Sequence, residues 1–209
     1  DVSDLGDVHT LNLSNCENIT DVSTLGGKKQ HTLHLYGCSN ITDVSALGGV
    51  HTLDLRHCEN ITDVSALGGV HTLDLLGCSN ITNESVGRLG GKKQHTLNLC
   101  GCWNITDVSA LGGVHTLDLS GCSNITDVSK LGNVHNLNLY GCKNITDVSK
   151  LGGEKQHTLN LKGCKNITNV SSLGNVRYLD LLNCSNITDV SALGGVHTLG
   201  LNHCINITD

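Results

Sequence analysis

The chain has 209 residues and a formal net charge of −6, with no Pro, Met or Phe and a single Trp. A charge of that sign offers no field to draw in nucleic acid, and no apolar run approaches the roughly 20 residues of a membrane span. With aromatic residues so scarce, the interior is left to Leu, Val, Ile and Cys, packed as many small contacts in register, which points to a repetitive fold.

The first eight residues read as the tail of a repeat. From His9 onward one phrase, HTLDLSGCSNITDVSALGGV, recurs ten times with few changes. Its copies open at His9, His31, His51, His71, His95, His115, His135, His157, Arg177 and His197. They are numbered here as coils one to ten, and most are twenty residues long.

Each coil begins with a short strand. Leu11 and Leu13 alternate with outward Thr10 and Asn12, and the same alternation returns at Leu33/Leu35 and Leu53/Leu55. A lone strand has nowhere to pair its backbone, so successive strands are expected to stack as a parallel ladder. A Gly or Asn before most of the repeated cysteines suits a turn after the strand. Ile19, Val22 and Leu25 then return to the core from the far side. Asp21 is placed to cap the turn Val22-Ser23-Thr24-Leu25, which Gly26-Gly27 ends. Four residues allow one turn of helix and no more. The expected fold is a repeat solenoid: a parallel β ladder with short or 3-10 turns on the convex side and little helix, running as one unit over 1–209.

The pattern LxLxxCxxITD, as in Leu33-His34-Leu35-Tyr36-Gly37-Cys38-Ser39-Asn40-Ile41-Thr42-Asp43, resembles the leucine-rich repeats of the cysteine-containing type across nearly the whole chain. The resemblance implies an arc with its strands on the concave face, usually used to grip another protein. Repeats of that type are longer and carry a helix on the convex side. These coils have room only for a tight turn, as in bacterial-length repeats. The resemblance also implies that the repeated cysteine fills a slot where such repeats bury a hydrogen-bonding side chain.

Three joins between coils are longer than the rest, at 28–30, 92–94 and 154–156, spaced by 64 and then 62 residues. Every third coil therefore differs, and a three-coil super-repeat is expected. Neither end resembles a cap, which leaves two readings: flanking sequence is missing, or copies stack head to tail into a filament.

Ten of the eleven cysteines, from Cys16 and Cys38 to Cys184 and Cys204, share one repeat position and should form a ladder of free thiols. Cys100 instead takes an outward strand-end position and is the expected reactive thiol. Nine first-position histidines form a column beside Asp54, Asp74, Asp118 and Asp180. Equivalent ligands spread evenly along an axis do not converge, so no metal site is expected. Stacked imidazoles should instead repel when protonated. No cofactor is expected, because the Gly-Gly pairs lack the Lys-Ser/Thr of a phosphate loop. Ser, His and Asp recur at fixed places along the repeats rather than meeting once, so no catalytic residue is assigned and the chain is not read as an enzyme.

Asn-Ile-Thr recurs at Asn18, Asn40, Asn60, Asn80, Asn104, Asn124, Asn144, Asn166, Asn186 and Asn206, which fits a glycan acceptor if the chain is secreted. Glycans one strand spacing apart would collide, and a turn Asn bonding its own backbone is the competing reading. The compartment stays open, with the free thiols pointing inside the cell and the sequons outside it.

Two columns vary most between coils. One runs Ser14, Tyr36, Arg56, Leu76, Cys100, Ser120, Tyr140, Lys162, Leu182, Asn202. The other runs Glu17, Ser39, Glu59, Ser79, Trp103, Ser123, Lys143, Lys165, Ser185, Ile205. Tyr36, Arg56, Trp103 and Tyr140 are residue types favoured at interfaces and are the candidate anchors. The expected function is a non-catalytic scaffold for a protein partner, the alternative being a subunit that binds copies of itself end to end. Neither nucleic acid nor membrane insertion is expected.

Overall fold

Alternating leucines in each coil fix which side of the strand faces inward, and the computed structural model, which describes residues 2–26, 31–90 and 95–208, stacks those strands into one sheet. The strands are β1 (Thr10–Asn12), β2 (Thr32–His34), β3 (Thr52–Asp54), β4 (Thr72–Asp74), β5 (Thr96–Asn98), β6 (Thr116–Asp118), β7 (Asn136–Asn138), β8 (Thr158–Asn160), β9 (Tyr178–Asp180) and β10 (Thr198–Gly200). All ten are parallel and lie in chain order. The register is strict, with Leu11 opposite Leu33, Leu33 opposite Leu53, and so on to Leu179 opposite Leu199. A one-residue slip would turn the leucines to solvent, so the hydrophobic pattern holds this register.

The core between the two sides of each coil is built almost wholly of aliphatic side chains and cysteines. In coil two Leu33, Leu35, Cys38, Ile41, Leu47 and Val50 are fully buried, and in coil six so are Leu119, Cys122, Ile125, Leu131 and Val134. The valine that precedes the next histidine, such as Val50, Val70 and Val114, belongs to this core as well. In coil seven the longer join gives that slot to Gln156. Its Oε1 accepts from the Gly152 backbone N–H at 2.7 Å, and its Nε2 has no partner among the described residues. The other two long joins, 28–30 and 92–94, lie outside the described residues.

The far side consists of short turns. Most are 3-10 segments such as Ser45–Gly49, Ser65–Gly69 and Ser109–Gly113, each opened by an aspartate whose Oδ1 accepts the N–H of the serine two residues on. Coil four has more residues on this side and forms a single α-helical turn, α1 (Asn83–Val86), where Thr82 accepts from the Ser85 N–H at 3.3 Å. Successive turns press so closely that a methyl on Gly112 would overlap the Lys130 carbonyl oxygen. Only glycine fits there.

The residue before each cysteine lies in the left-handed region, glycine in six coils and Asn15, His57, Asn183 and His203 in the others. Asparagine tolerates this conformation best after glycine. Histidine is a further solution that the Gly/Asn pattern alone does not reveal.

Leu117 is buried and paired on both sides, with Leu97 and Leu137. Leu117→Ala should therefore cost about 2–5 kcal/mol. Exposed Ala110→Ser should stay within about 0.5 kcal/mol. Guanidinium unfolding followed by circular dichroism measures both.

Candidate interaction surface

Most constant side chains are spent on the neighbouring coil. Each buried thiol donates to the strand-end leucine carbonyl of the coil before it, as Cys58 Sγ does to Leu35 O at 3.1 Å and Cys122 Sγ to Leu99 O at 3.1 Å. The series runs from Cys38 to Cys204. Burial pushes the thiols of Cys58, Cys78, Cys122, Cys164 and Cys184 up to about 12, and their own neighbours in the ladder add to the effect for several of them. All eleven cysteines are free. Cys16 is exposed and Cys100 is half-buried, its backbone N–H bonded to Asn98 Oδ1 at 2.9 Å. The repeat pattern marks Cys100 alone as outward; the structure places Cys16 in the open as well.

The Asn-Ile-Thr asparagines form a second ladder. Asn60 Nδ2 donates to Ser39 O at 2.8 Å, Asn124 Nδ2 to Trp103 O at 2.8 Å and Asn166 Nδ2 to Lys143 O at 2.9 Å. Asn40, Asn80, Asn104, Asn144 and Asn206 do the same. These bonds reach the preceding coil and not the asparagine's own backbone. All ten asparagines, with Asn18 and Asn186, are exposed. Their Nδ2 atom is the one a glycan would use.

The histidines stack face to face. From His9 to His157 the eight rings lie 4.3–5.1 Å apart between centroids, with planes 8–28° from parallel. At coil nine, where Arg177 replaces the histidine, the Tyr178 ring continues the row 5.0 Å from His157 and 6.0 Å from His197. Most of the rings place Nδ1 near the hydroxyl of the following threonine, as His115 does with Thr116 at 3.2 Å. His135 instead meets the Lys155 carbonyl oxygen at 2.8 Å and donates to it. Among the described residues no three His, Cys, Asp or Glu side chains gather as a metal-ligand set.

On the outer face of the sheet, acids and amides beside the strands accept backbone N–H groups two residues on: Asp74 from Leu76, Asp118 from Ser120 and Asp180 from Leu182. Asp54 additionally holds Arg56 through two side-chain bonds, Nε to Oδ1 at 2.8 Å and Nη2 to Oδ2 at 2.7 Å. Burial works to raise the Asp54 carboxyl, but its bonds with Arg56 outweigh it and hold the group below its ordinary value. Asp74 is pushed up by its partial burial and by the neighbouring Asp54 charge.

The four sequence-predicted anchors do not form one site. Tyr36 and Arg56 meet, the guanidinium 5.2 Å from the ring centroid, with the His57 ring edge-on to Tyr36 at 5.7 Å. Tyr140 lies four coils further along, about 19 Å at about 4.8 Å per strand. There Lys162 Nζ sits 5.7 Å from its ring centroid. Trp103, 61% exposed, stands on the turn beyond the cysteine and off the strand face. The residues missed by the sequence argument are Tyr178, which carries Arg177 over its ring at 5.6 Å, and the lysines around Tyr140. The outward position of Tyr178, where other strands begin with Thr or Asn, was the available signal.

Ten parallel strands in register, short convex turns and stacked aliphatic columns define a leucine-rich-repeat solenoid. No family model matches the sequence, and no curated protein does. The structure is similar to an internalin (inlF) from Listeria monocytogenes, at 20% identity and a TM-score of 0.58, over 95% of this chain and 75% of that one. It is similar to the functional domain of InlJ from Listeria monocytogenes, which includes a cysteine ladder, at 21% identity and a TM-score of 0.56, over 97% of this chain and 50% of that one. It is also similar to the leucine-rich-repeat ectodomain of the plant membrane receptor kinase GASSHO1/SCHENGEN3 from Arabidopsis thaliana, solved in complex with CASPARIAN STRIP INTEGRITY FACTOR 2. That match has 17% identity and a TM-score of 0.53, over 87% of this chain and 28% of the ectodomain. The likeness is one of fold. Among the described residues no helix is long and apolar enough to cross a membrane.

Iodoacetamide applied to the native chain should modify Cys16 first and Cys100 next, and should spare the nine buried thiols until the chain unfolds; peptide mass spectrometry reads the order. Stability should also depend on the histidine row. Partial burial and the fields of neighbouring rings hold the protonation of His115 and His157 below its ordinary 6.5. The unfolded chain therefore binds protons first, so stability is fully present above about 6.5 and falls as the pH drops below it. Thermal melts between pH 7.5 and 5 should show Tm falling, and less steeply for His95→Asn/His115→Asn.

Proposed function

We propose that the chain is a non-catalytic scaffold that binds a protein partner on its strand face and the turns that border it. The observation that carries this reading is a division of labour between positions. Constant cysteines, asparagines and aspartates are committed to coil-to-coil or turn-capping bonds, while the variable column at the strand ends projects Tyr36, Arg56 and Tyr140 outward. Arg56 is pre-organised by Asp54 and stacked on Tyr36, so less rotamer freedom is lost on binding. That an ectodomain of the same fold is solved with CASPARIAN STRIP INTEGRITY FACTOR 2 bound supports a binding role. Fold alone does not assign function, and the surface chemistry carries the weight here.

A second reading is head-to-tail stacking of copies. Leu11, Leu13 and Ile19 in coil one, and Leu199, Leu201 and Ile207 in coil ten, are only partly buried. They would be covered either by another copy stacked head to tail or by further coils of a longer chain.

Photo-crosslinking separates these readings. A benzoylphenylalanine in place of Tyr36 or Tyr140 should capture a discrete protein from an extract of the source cells, the same residue at convex Ala110 should not, and Arg56→Ala should reduce capture from position 36. Equal capture from Ala110 would count against the strand face. Growth of the sedimentation coefficient with concentration, blocked by Leu199→Lys/Leu201→Lys, would favour head-to-tail stacking.

A further inference from the structure

The variable turn column changes sign along the solenoid. It carries Glu17 and Glu59 in coils one and three, and Lys143 and Lys165 in coils seven and eight. Seven of the thirteen Lys and Arg residues lie between Lys130 and Arg177, where Asp147 and Glu154 are the only acids, in a chain of net charge −6. Strands β7 and β8 also hold Asn138 and Asn160 where β3, β4, β6 and β9 hold aspartate.

Three of these lysines converge on one corner. The bond from Asn166 Nδ2 to Lys143 O sets the turns of Lys143 and Lys165 side by side. Tyr140, 49% exposed, lays its ring against Gly163 of that second turn, where a methyl would lie 3.9 Å from Cε2, and Lys162 Nζ stands 5.7 Å from the ring centroid. Lys143 and Lys165 are exposed, and among the described residues none of these lysines has a carboxylate within ion-pair distance. The convex lysines of coils six and seven differ. Asp127 and Asp147 lie three residues before Lys130 and Lys150, and their carboxyls are held down first by the Ser129 and Ser149 bonds and in smaller part by the charge of those lysines. Cationic charge is thus balanced on the convex side and unbalanced on the Tyr140 corner.

We propose that the corner formed by Tyr140, Lys143, Lys162 and Lys165 is a docking surface for a short acidic segment of a partner protein, with Tyr140 as its aromatic anchor. The inference rests on the protein-binding reading above and names one part of that surface and the chemistry of what it takes. Its extent argues for a short segment: Asp118 in coil six and Asp180 in coil nine bound it to three strand spacings, about 14 Å. That length suits a few carboxylates, and the net charge of −6 on the chain as a whole works against a nucleic-acid backbone. Charges of this kind set encounter and orientation, and the half-exposed ring supplies contact area.

Fluorescence anisotropy with a labelled (Glu-Glu-Tyr)4 peptide tests the proposal, with (Lys-Lys-Tyr)4 and a (dT)12 oligonucleotide as comparisons. The acidic peptide should bind the native chain, weaken as salt rises from 50 to 300 mM, and lose at least tenfold in affinity for Lys143→Glu/Lys165→Glu. Tyr140→Ala should weaken it severalfold, whereas Lys130→Glu/Lys150→Glu, the same change in net charge on the convex side, should alter it less than threefold. Equal losses from both lysine pairs, tighter binding of (dT)12, or self-association abolished by Lys143→Glu/Lys165→Glu would each overturn it. Partner capture from position 36 without peptide binding would overturn this inference and leave the scaffold reading standing; absence of both would count against the two together.

Discussion

Everything in this fold follows from the inability of one coil to satisfy its own polar groups. A three-residue strand has no partner within its own twenty residues, and ordering each residue costs about 1–2 kcal/mol in backbone entropy. The structure answers by sending the bonds sideways. Strand N–H groups go to the strands on either side, cysteine thiols to a leucine carbonyl one coil back, and asparagine amides to the turn one coil back. Stability is therefore shared between neighbours and grows with the stack, as nearest-neighbour coupling in repeat proteins requires. The cysteine is well suited to its slot because a small, weakly polar thiol can be buried at little cost while still giving the leucine carbonyl a donor. The same burial makes ionisation costly and leaves the ladder chemically quiet.

That constraint also explains how much could be read in the sequence. Strand positions, the aliphatic columns and the convex turn were legible because a side chain's inward or outward direction follows from period-two alternation, and ten copies repeat the signal. Column membership was legible too, down to the histidine row and the cysteine ladder. What lay beyond reach was the direction in which a side chain leans. Asn60 bonds across to Ser39 O where its own backbone was the simpler expectation. Tyr36 and Arg56 touch because their column neighbours are one strand apart, while Trp103, one column over, points elsewhere. Gln156 was hidden for another reason: an extended join moves it into a slot that valine holds in other coils, and no period marks an insertion.

The histidine row shows how repetition turns a weak preference into a surface property. One exposed imidazole beside a threonine would mean little. Eight of them, 4.3–5.1 Å apart, make one continuous stack, and both His95 and His135 work against protonation of His115. The cost falls on the charged form alone, so the row is compatible with close stacking at neutral pH and opposed to it in acid. Coil nine interrupts the row with Arg177, a permanent cation that lowers the protonation of His157 in the same way, and places Tyr178 in the gap.

Specificity in such a molecule has few places to reside. Positions that hold the stack are nearly identical from coil to coil, and changing one would weaken two interfaces at once. Variation is tolerated where no particular side chain is needed to hold the stack, which is the strand-end column and the turn beyond the cysteine. There the chain moves from Glu17 and Glu59, through Trp103, to Lys143 and Lys165, so that a repetitive backbone presents a polarised edge. A partner of the proposed kind would meet acid at coils one and three and lysine at coils seven and eight, which favours one direction of docking along the axis. The repeat therefore sets the spacing of contacts at one strand per step, and the departures from the repeat set their order.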